Sequence, residues 1–385
     1  MSSSKFNLSH ITAGFTTVLV GYTSSVVIVI QAATAAGATA EQIQSWLWAL
    51  GVGIGLICML FSWWYKKPMV FAWSTPGAAM LVTVASQYDL PIVIGAFVMT
   101  GALIVLTGLI TPLSHALARI PAYLGTAMLG AILLPFCLKA FQPLASQPIS
   151  FLCMFIGYLL AKRLVPKYSM LILLIIAVVV TLVGGGWTSS GIDFSLAQPS
   201  WMAPSFDWLA IVNLSLPLYV LTMLSQNLPG VAMLKSHGYE APVKPVLIGT
   251  GLLNMAFAPL GGFSVNLAAI SAAICMNEHV DTDAKQRYRA AIWAGVFYVI
   301  AGLWATAVVA LFLALPKDVS NMLAGFALLG TLLMCLNISF REGGFQEAAL
   351  MTFLITLSGV TFLGIGSTLW GLLTGLVLVR FSPTK

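Results

Sequence analysis

The sequence predicts an all-α integral membrane protein with about 14 transmembrane segments, arranged as two inverted repeats of 7, in which short extended segments lead into half-helices 3 and 10. Three observations predict this fold. Hydrophobic residues make up 59% of the 385 residues and charged residues only 7%, against about 25% charged in an ordinary soluble domain. Apolar stretches long enough to cross a bilayer recur along the whole chain. One motif of the first half also recurs in the second half.

Breaks in the apolar runs divide the chain into seven segments per half. In the first half they are residues 12–34, 43–64, 72–86, 91–113, 121–141, 148–163 and 168–185. In the second half they are residues 208–234, 244–259, 263–277, 288–314, 317–338, 346–361 and 363–380. Residues 1–190 are therefore expected to form the first repeat and residues 191–385 the second. Because seven is odd, the second repeat begins on the opposite side of the bilayer, which makes the repeats inverted.

The distribution of basic residues predicts the orientation. With the N-terminus in the cytoplasm, the Lys and Arg residues of the predicted loops lie on the cytoplasmic side, except Lys139 and Lys317. Lysine and arginine accumulate in cytoplasmic loops, so both termini are expected to be cytoplasmic. The basic residues are spread over short loops instead of forming a stripe, which argues against a nucleic-acid partner. The first ten residues lack a small-residue cleavage site, so the first segment is expected to remain in the mature protein.

The duplicated motif interrupts two short segments. Residues 73–80 (WSTPGAAM) and 263–270 (FSVNLAAI) share the order aromatic, Ser, three variable residues, Ala, Ala, aliphatic, at an offset of 190 residues (264 minus 74). Each copy lies in the third segment of its half, which is too short to cross a bilayer alone. Non-helical backbone at membrane depth is tolerated only where it is buried in protein or lines a cavity. The duplication therefore predicts two half-helices that meet at a site, although small residues also permit close helix packing.

The starts of the half-helices supply most of the candidate binding residues. A helix N-terminus presents free N–H groups and a partial positive charge, so two of them directed at the membrane midplane favour an anion. The candidate substrate-binding residues at these starts are Ser74, Thr75, Pro76, Gly77, Phe263, Ser264 and Asn266.

Two further polar clusters interrupt apolar helices. Tyr22 lies in the run GYTSS of the first segment, and Gln226 and Asn227 precede Pro229 in the eighth. A buried primary amide is costly unless it is hydrogen-bonded, and a helical proline frees a carbonyl one turn earlier. Interhelical hydrogen bonding and ligand contact both explain such clusters. Beside two half-helices, ligand contact is favoured, so Tyr22, Gln226 and Asn227 join the candidates.

Several kinds of chemistry find no support in the sequence. All Asp and Glu residues fall in predicted loops or at segment ends, and the four His residues read as solvated loop residues on the cytoplasmic side. A proton relay through a buried carboxylate is therefore not visible. The five cysteines lie singly, without metal-ligand spacing. Because no catalytic motif is present either, we expect no enzyme activity, no cofactor and no bound metal.

Three motifs together carry a resemblance to a known family. AWSTPGAA in the third segment, TMLSQNLPGVAMLKSHGY in the eighth and GGFSVNLAAISAAIC in the tenth resemble the BenE family of benzoate:proton symporters of the bacterial inner membrane. The similarity runs along essentially the whole chain. More distantly, the arrangement is similar to the uracil and nucleobase permeases, whose fold is a seven-plus-seven inverted repeat. The resemblance implies a core domain of spans 1–4 and 8–11 and a gate domain of spans 5–7 and 12–14.

The resemblance also implies a function and a partial set of site residues. In the permeases, the starts of the third and tenth helices and an acidic residue of the eighth helix hold the substrate. Carried over by position, these are Ser74, Thr75, Pro76, Phe263, Ser264, Asn266 and Gln226. Gln226 and Val265 stand where carboxylates are usual, and a site without acids suits an anionic substrate.

The implied function is proton-coupled secondary transport of benzoate or a related small aromatic carboxylate, with movement of the core against the gate. The expected partners are that anion, a proton and the lipid bilayer. The alternatives are a carrier of another small anion or of a nucleobase-like heterocycle, an uncoupled anion channel, and a membrane receptor or scaffold. Dimers occur in the wider fold, and the choice between monomer and homodimer stays open because no interface signature is visible.

Overall fold

The computed structural model describes residues 8–110, 112, 120–188, 194–341 and 346–381. In the first half the elements are α1 (Leu8–Ala35), α2 (Ala40–Tyr65), β1 (Phe71–Trp73), α3 (Thr75–Val84), α4 (Leu90–Leu109), α5 (Ala122–Lys139), α6 (Pro148–Leu164) and α7 (Ser169–Val183). In the second half they are α8 (Trp208–Ser236), α9 (Val243–Phe257), β2 (Val265–Leu267), α10 (Ile270–Met276), the two-part α11 (Tyr288–Leu303 and Ala305–Ala314), α12 (Lys317–Ser339), α13 (Gln346–Ser358) and α14 (Ser367–Phe381).

The helices agree with the predicted segments in position. Among the described residues, eight helical segments are long and apolar enough to cross a membrane, and the two parts of α11, bent by 63°, would make a ninth. The other predicted segments coincide with shorter helices, such as α3 and α10. The predicted end of the fourth segment, and with it His115, lies outside the described residues. The count of fourteen crossings and the inverted symmetry of the halves stay predictions.

Helix packing forms two groups. In the first, α2 packs against α11, α4 against α9, and α1 against α3, α10 and α11. In the second, α5 packs against α12 and α13, α6 against α7, and α13 against α14. Helix α8 joins the first group through α3 and α4 and also contacts α5 of the second. Helix α8 contains two π-helical turns, Ile211–Ser215 and Met223–Asn227, and the second contacts both α5 and β2. This second turn therefore lies where the two groups meet.

The short strands join the two halves of the chain. β1 and β2 pair antiparallel, with Phe71 opposite Leu267 and Trp73 opposite Val265. Beyond the strands, the Ser74 N–H donates to the Ser264 carbonyl at 3.1 Å. Backbone that leaves the helical conformation inside an apolar bundle must find its partners within the protein, and this ribbon supplies them. The expectation of extended segments leading into helices 3 and 10 is confirmed.

The register expected for the duplicated motif is wrong by four residues. The strands are related by an offset of 194 residues (265 minus 71), so Ser74, which follows β1, corresponds to Ala268 and not to Ser264. Ala78-Ala79-Met80 then corresponds to Ala272-Ala273-Ile274. A shift of about one helical turn leaves the pattern of small residues on the same helix face, so the pattern alone matched the wrong pair of alanines. Ser264 and Asn266 therefore lie before and within β2, upstream of α10.

Candidate functional site

Ser74 initiates α3 by capping it. Its Oγ accepts a hydrogen bond from the Gly77 N–H at 3.0 Å, and its side chain is fully buried. Thr75 is half-buried and Pro76 is buried in the first turn, where a proline loses no helical hydrogen bond because that N–H has no partner. A Cβ atom on Gly77 would lie 2.5 Å from Leu218 Cδ1 of α8. The structure thus brings the first half-helix start directly against α8.

Ser74→Ala is expected to destabilise the protein by about 0.5–2 kcal/mol, because the cap of α3 is lost. Ser74→Thr keeps an accepting hydroxyl and is expected to retain most of the stability. Thermal unfolding of the purified protein in detergent measures both effects. Ser320→Ala, in a helix and without a side-chain hydrogen bond in the described part of the chain, is the matched control. Equal unfolding temperatures for Ser74→Ala and this control would contradict the capping role.

Ser264 and Asn266 present unpartnered oxygen atoms beside the ribbon. Ser264 adopts a left-handed backbone conformation with φ of 44°, and its carbonyl accepts from Asn266 Nδ2 at 2.8 Å. Ser264 Oγ and Asn266 Oδ1 are both buried and have no hydrogen-bond partner among the described residues. A buried polar atom without a partner costs about 1–3 kcal/mol. These two atoms are therefore available to a ligand that supplies the missing hydrogen bonds.

The eighth helix is widened at the predicted cluster. Met223–Asn227 is π-helical and is followed by Pro229, whose missing N–H removes one helical hydrogen bond. Such widened turns are frequent at functional sites. Gln226 lies in this turn, half-buried, and its amide has no hydrogen bond within the described part of the chain. Gln226 therefore retains free donors and a free acceptor.

The side chain of Asn227, unlike that of Gln226, has hydrogen-bond partners within the protein. Its Oδ1 accepts from the Leu267 N–H of β2 at 3.1 Å, and its Nδ2 lies 3.4 Å from Met223 Sδ. The side chain is 2% exposed. Asn227 therefore fastens the ribbon to α8, and the structure uses both polar ends of its amide within the protein.

Tyr22 packs on the aromatic end of β1. Its ring lies edge-on against Trp73 with centroids 5.2 Å apart, and Trp73 Nε1 donates to Ser25 Oγ at 2.9 Å. The Tyr22 hydroxyl is buried and has no partner among the described residues. The polar run of the first segment thus supports β1 through Ser25 and leaves one free hydroxyl.

Phe263, another candidate residue, packs among aromatic side chains. Its ring centroid lies 5.7 Å from that of Trp46 and 5.3 Å from that of Phe97, and the side chain is fully buried. These contacts enclose Phe263 in an aromatic cluster with Trp46 and Phe97.

Two asparagines that bind backbone groups in the structure were not among the residues predicted from the sequence. Asn254 of α9 binds the backbone of Val265 twice, through Oδ1 at 2.7 Å and Nδ2 at 3.2 Å. Asn213 of α8 donates to the Gly364 carbonyl at 2.7 Å and accepts from the Gly366 N–H at 2.8 Å. A lone asparagine in an apolar helix was the available signal, since such an amide must find a partner.

Two of the cavities lie beside helices that carry candidate residues. One, of about 250 Å³, lies between α3, α5, α8 and the residues before α14, and Thr83, Asn213 and Thr356 are among its lining residues. The other, of about 460 Å³, lies where α1 begins and is lined in part by Thr12 and Lys167. Neither is lined by Ser74 or Gln226.

The described acidic residues lie at helix ends and in loops, as expected; Asp193 and Glu342 fall outside the described residues. The expectation for the histidines is wrong at His10. This residue lies in α1, is 2% exposed and forms an ion pair with Asp281 at 2.9 Å. His237 and His279 are exposed. The sequence misassigned His10 because the predicted first segment began two residues after it.

The fold is that of known membrane transport proteins. The chain is similar to the transmembrane domain of a cyanobacterium bicarbonate transporter, BicA, with a TM-score of 0.65 and 14% identity over 96% of this chain and 97% of that one. It is similar to SLC26A9 with a TM-score of 0.64 and 14% identity, over 97% of this chain and 65% of that one. The expected fold likeness to the uracil permeases is thereby corrected to a likeness to these transporters.

Sequence comparison identifies the family. The family model for BenE, the benzoate membrane transport protein, matches residues 4–381. The chain is 42% identical to the inner membrane protein YdcO of Escherichia coli (strain K12), over 94% of this chain and 93% of the relative. It is 36% identical to the benzoate membrane transport protein of Acinetobacter baylyi, over 97% of this chain and 94% of the relative. The chain belongs to the BenE family and is a multi-pass protein of the bacterial inner membrane.

Proposed function

We propose that the protein takes up benzoate, or a related small aromatic carboxylate, together with protons by alternating access. The observation that carries this proposal is a polar site without acidic residues. No Asp or Glu occurs in β1, β2, the first turn of α3 or the π-helical turn of α8. A carboxylate substrate meets no like charge there, and the name of the Acinetobacter baylyi relative supplies the substrate.

The candidate residues divide by role. Gln226 and the hydroxyls of Thr75, Ser264 and Tyr22 supply hydrogen bonds to the carboxylate. The N-terminus of α3 adds partial positive charge, which strengthens hydrogen bonds to an anion. Asn227, together with the Ser74 cap, holds β2 and α3 in place. Hydrogen bonds to a charged partner contribute about 1.5–3 kcal/mol each, so a few such contacts suffice for specific binding.

The two packing groups supply the moving parts. We assign α1–α4 and α8–α11 to the core and α5–α7 and α12–α14 to the gate. A Cβ atom on Gly125 of α5 would lie 3.2 Å from Leu224, two residues before Gln226. Sliding of the core along α5 changes which face of the protein has access to Gln226. With both termini in the cytoplasm, the cavity beside Thr12 opens inward and the cavity beside Thr83 opens outward.

The test is uptake of labelled benzoate into proteoliposomes with an imposed inward proton gradient. Wild type is expected to accumulate benzoate. Gln226→Ala is expected to lower uptake about tenfold, equivalent to about 1.4 kcal/mol of lost binding. Gln226→Glu keeps the side-chain shape but adds a negative charge, so it is expected to lower uptake further. The exposed Gln142 provides the matched controls Gln142→Ala and Gln142→Glu.

Each outcome bears on one part of the proposal. If folded wild-type protein takes up benzoate at a rate that does not depend on the proton gradient, an uncoupled anion pathway would be indicated. No uptake of benzoate would remove the substrate, and competition with other small anions and nucleobases would then define it. Unchanged uptake by both Gln226 variants would remove this residue from the site.

A further inference from the structure

Asn213 joins α8 to the chain between α13 and α14. Its Nδ2 donates to the Gly364 carbonyl at 2.7 Å, and its Oδ1 accepts from the Gly366 N–H at 2.8 Å. Nδ2 also donates to the Tyr88 hydroxyl at 3.1 Å. A primary amide has two donor hydrogens, so both are used. Because a carbonyl needs a donor and an N–H needs an acceptor, only one orientation of this amide satisfies both glycines.

The chain segment that Asn213 binds is a tight turn fastened to α14. Phe362 and Ile365 exchange two backbone hydrogen bonds of 3.0 Å. Between them, Leu363 and Gly364 have φ of 53° and 75°, and two consecutive positive φ values are typical of two-residue hairpin turns. Trp370 Nε1 of α14 donates to the Phe362 carbonyl at 3.0 Å. The turn is therefore expected to move with α14, in the group assigned above to the gate.

Asn213 itself is held by the helices assigned to the core. It lies in the first π-helical turn of α8, Ile211–Ser215, and such turns are frequent at functional sites. The Ser215 carbonyl accepts from Thr100 Oγ1 of α4 at 3.3 Å. Tyr88, the other partner of the amide, lies between α3 and α4. The Asn213 side chain thus connects the core to the gate by direct hydrogen bonds.

The cavity of about 250 Å³ lies at this same connection. Asn213 and Gly366 both line it. Its lining also includes residues of both groups, among them Thr83 of α3 and Ala131 of α5. The hydrogen bonds of Asn213 therefore close one wall of a cavity between core and gate.

The cavity approaches the start of α3 along α8. Pro217 lines the cavity, and the next residue, Leu218, contacts the first turn of α3, where a Cβ atom on Gly77 would lie 2.5 Å from Leu218 Cδ1. With both termini in the cytoplasm, this cavity faces outward. Separation of α8 from the turn would therefore widen a path from the outside toward the candidate site.

We propose that Asn213 and the turn at Leu363 and Gly364 form a latch that closes the outward path to the candidate site. This inference rests on the proposed movement of core against gate and deepens it. For the core to slide along α5, the hydrogen bonds of Asn213 to Gly364 and Gly366 must break. The groups released are neutral, and water can replace their partners, so the net free energy of each bond is small. The latch can therefore open and close in every transport cycle.

The first test measures closure of the cavity without any substrate. Ala131 lines the cavity and is 1% exposed, so a cysteine at this position is expected to react slowly while the latch is closed. Ala131→Cys is made together with Cys153→Ser, which removes the exposed native cysteine. Labelling by a charged, membrane-impermeant thiol reagent is followed in right-side-out membrane vesicles.

Two substitutions of Asn213 are expected to open the cavity. Asn213→Asp keeps the shape of the side chain but places an oxygen opposite the Gly364 carbonyl, and Asn213→Ala removes the amide. Each is expected to raise the labelling rate about tenfold, equivalent to about 1.4 kcal/mol in the equilibrium between closed and open states. Asn321→Asp and Asn321→Ala, at a half-buried asparagine of α12 without a side-chain hydrogen bond in the described part of the chain, are the matched controls. Labelling no faster with the Asn213 variants than with these controls would overturn the latch.

The second test locks the latch. A Cβ atom on Gly366 would lie 3.7 Å from Asn213 Oδ1. Asn213→Cys and Gly366→Cys, combined with Cys153→Ser, therefore bring two thiols within reach of a short bifunctional thiol reagent that a reductant can cleave. Complete cross-linking is expected to stop uptake of labelled benzoate into proteoliposomes, and reduction is expected to restore it. Each single cysteine variant, treated in the same way, is expected to keep its uptake.

The outcomes separate the latch from the proposed substrate. Uptake at an unchanged rate after complete cross-linking would show that this contact need not open, which contradicts the latch. Failure of the two cysteines to cross-link would contradict the contact itself. A wild type that takes up no benzoate would remove the proposed substrate, and labelling of Ala131→Cys would still decide whether Asn213 closes the cavity.

Discussion

Asn254→Leu is expected to destabilise the protein by about 2–6 kcal/mol, because two buried backbone groups of Val265 lose their partners at about 1–3 kcal/mol each. The Asn254 amide accepts from the Val265 N–H at 2.7 Å and donates to its carbonyl at 3.2 Å. Leucine fills the space but offers neither bond. Val265 belongs to β2, which pairs with β1 beside the candidate site. Because loss of this pairing would displace the candidate residues, the change is also expected to abolish uptake.

Thermal unfolding in detergent and benzoate uptake in proteoliposomes measure the two effects. Asn337→Leu, at an exposed position of α12 without a side-chain hydrogen bond among the described residues, is the matched control. If Asn254→Leu unfolds at the temperature of the control, the strand does not depend on this amide.

Gly51→Leu is expected to cost about 1–3 kcal/mol or more through overpacking. The helices α2 and α11 cross so closely that a Cβ atom on Gly51 would lie 2.5 Å from Gly302 Cα and 2.8 Å from the Tyr298 carbonyl oxygen. These neighbours are backbone atoms, which cannot move aside as a flexible side chain can. Small residues at helix crossings allow this close approach in membrane proteins.

Thermal unfolding in detergent measures this cost, and Gly330→Leu provides the control. A Cβ atom there meets nothing within 4 Å, and the residue is exposed on α12. Both substitutions replace a helical glycine by leucine, so they share the change in helix propensity. If the two variants unfold at a similar temperature, α2 and α11 can move apart without loss of stability, which would contradict the prediction.

Local chemistry explains why much of the fold was predictable. Long apolar runs can satisfy their backbone groups within a bilayer only as helices, and all predicted segments coincide with helices. Turn and cap residues then set the helix starts, as Ser74 and Pro76 do for α3. The polar interruption at Ser74 was correctly predicted to mark the start of a half-helix after an extended segment. The polar cluster at Gln226 was recognised in the sequence, and the structure shows that it coincides with a π-helical turn.

The sequence by itself determined the membrane location, the helix positions and the two strand–helix interruptions, since these depend on composition and on residues close in the chain. Only the tertiary structure decided the register of the duplicated motif, because a shift of about one turn preserves the helix face while strand pairing does not. It also decided which polar groups are already bonded, as in Asn227, and which are free, as in Gln226. The pairing of His10 with Asp281 joins residues 271 positions apart, and such partners become neighbours only when the helices pack.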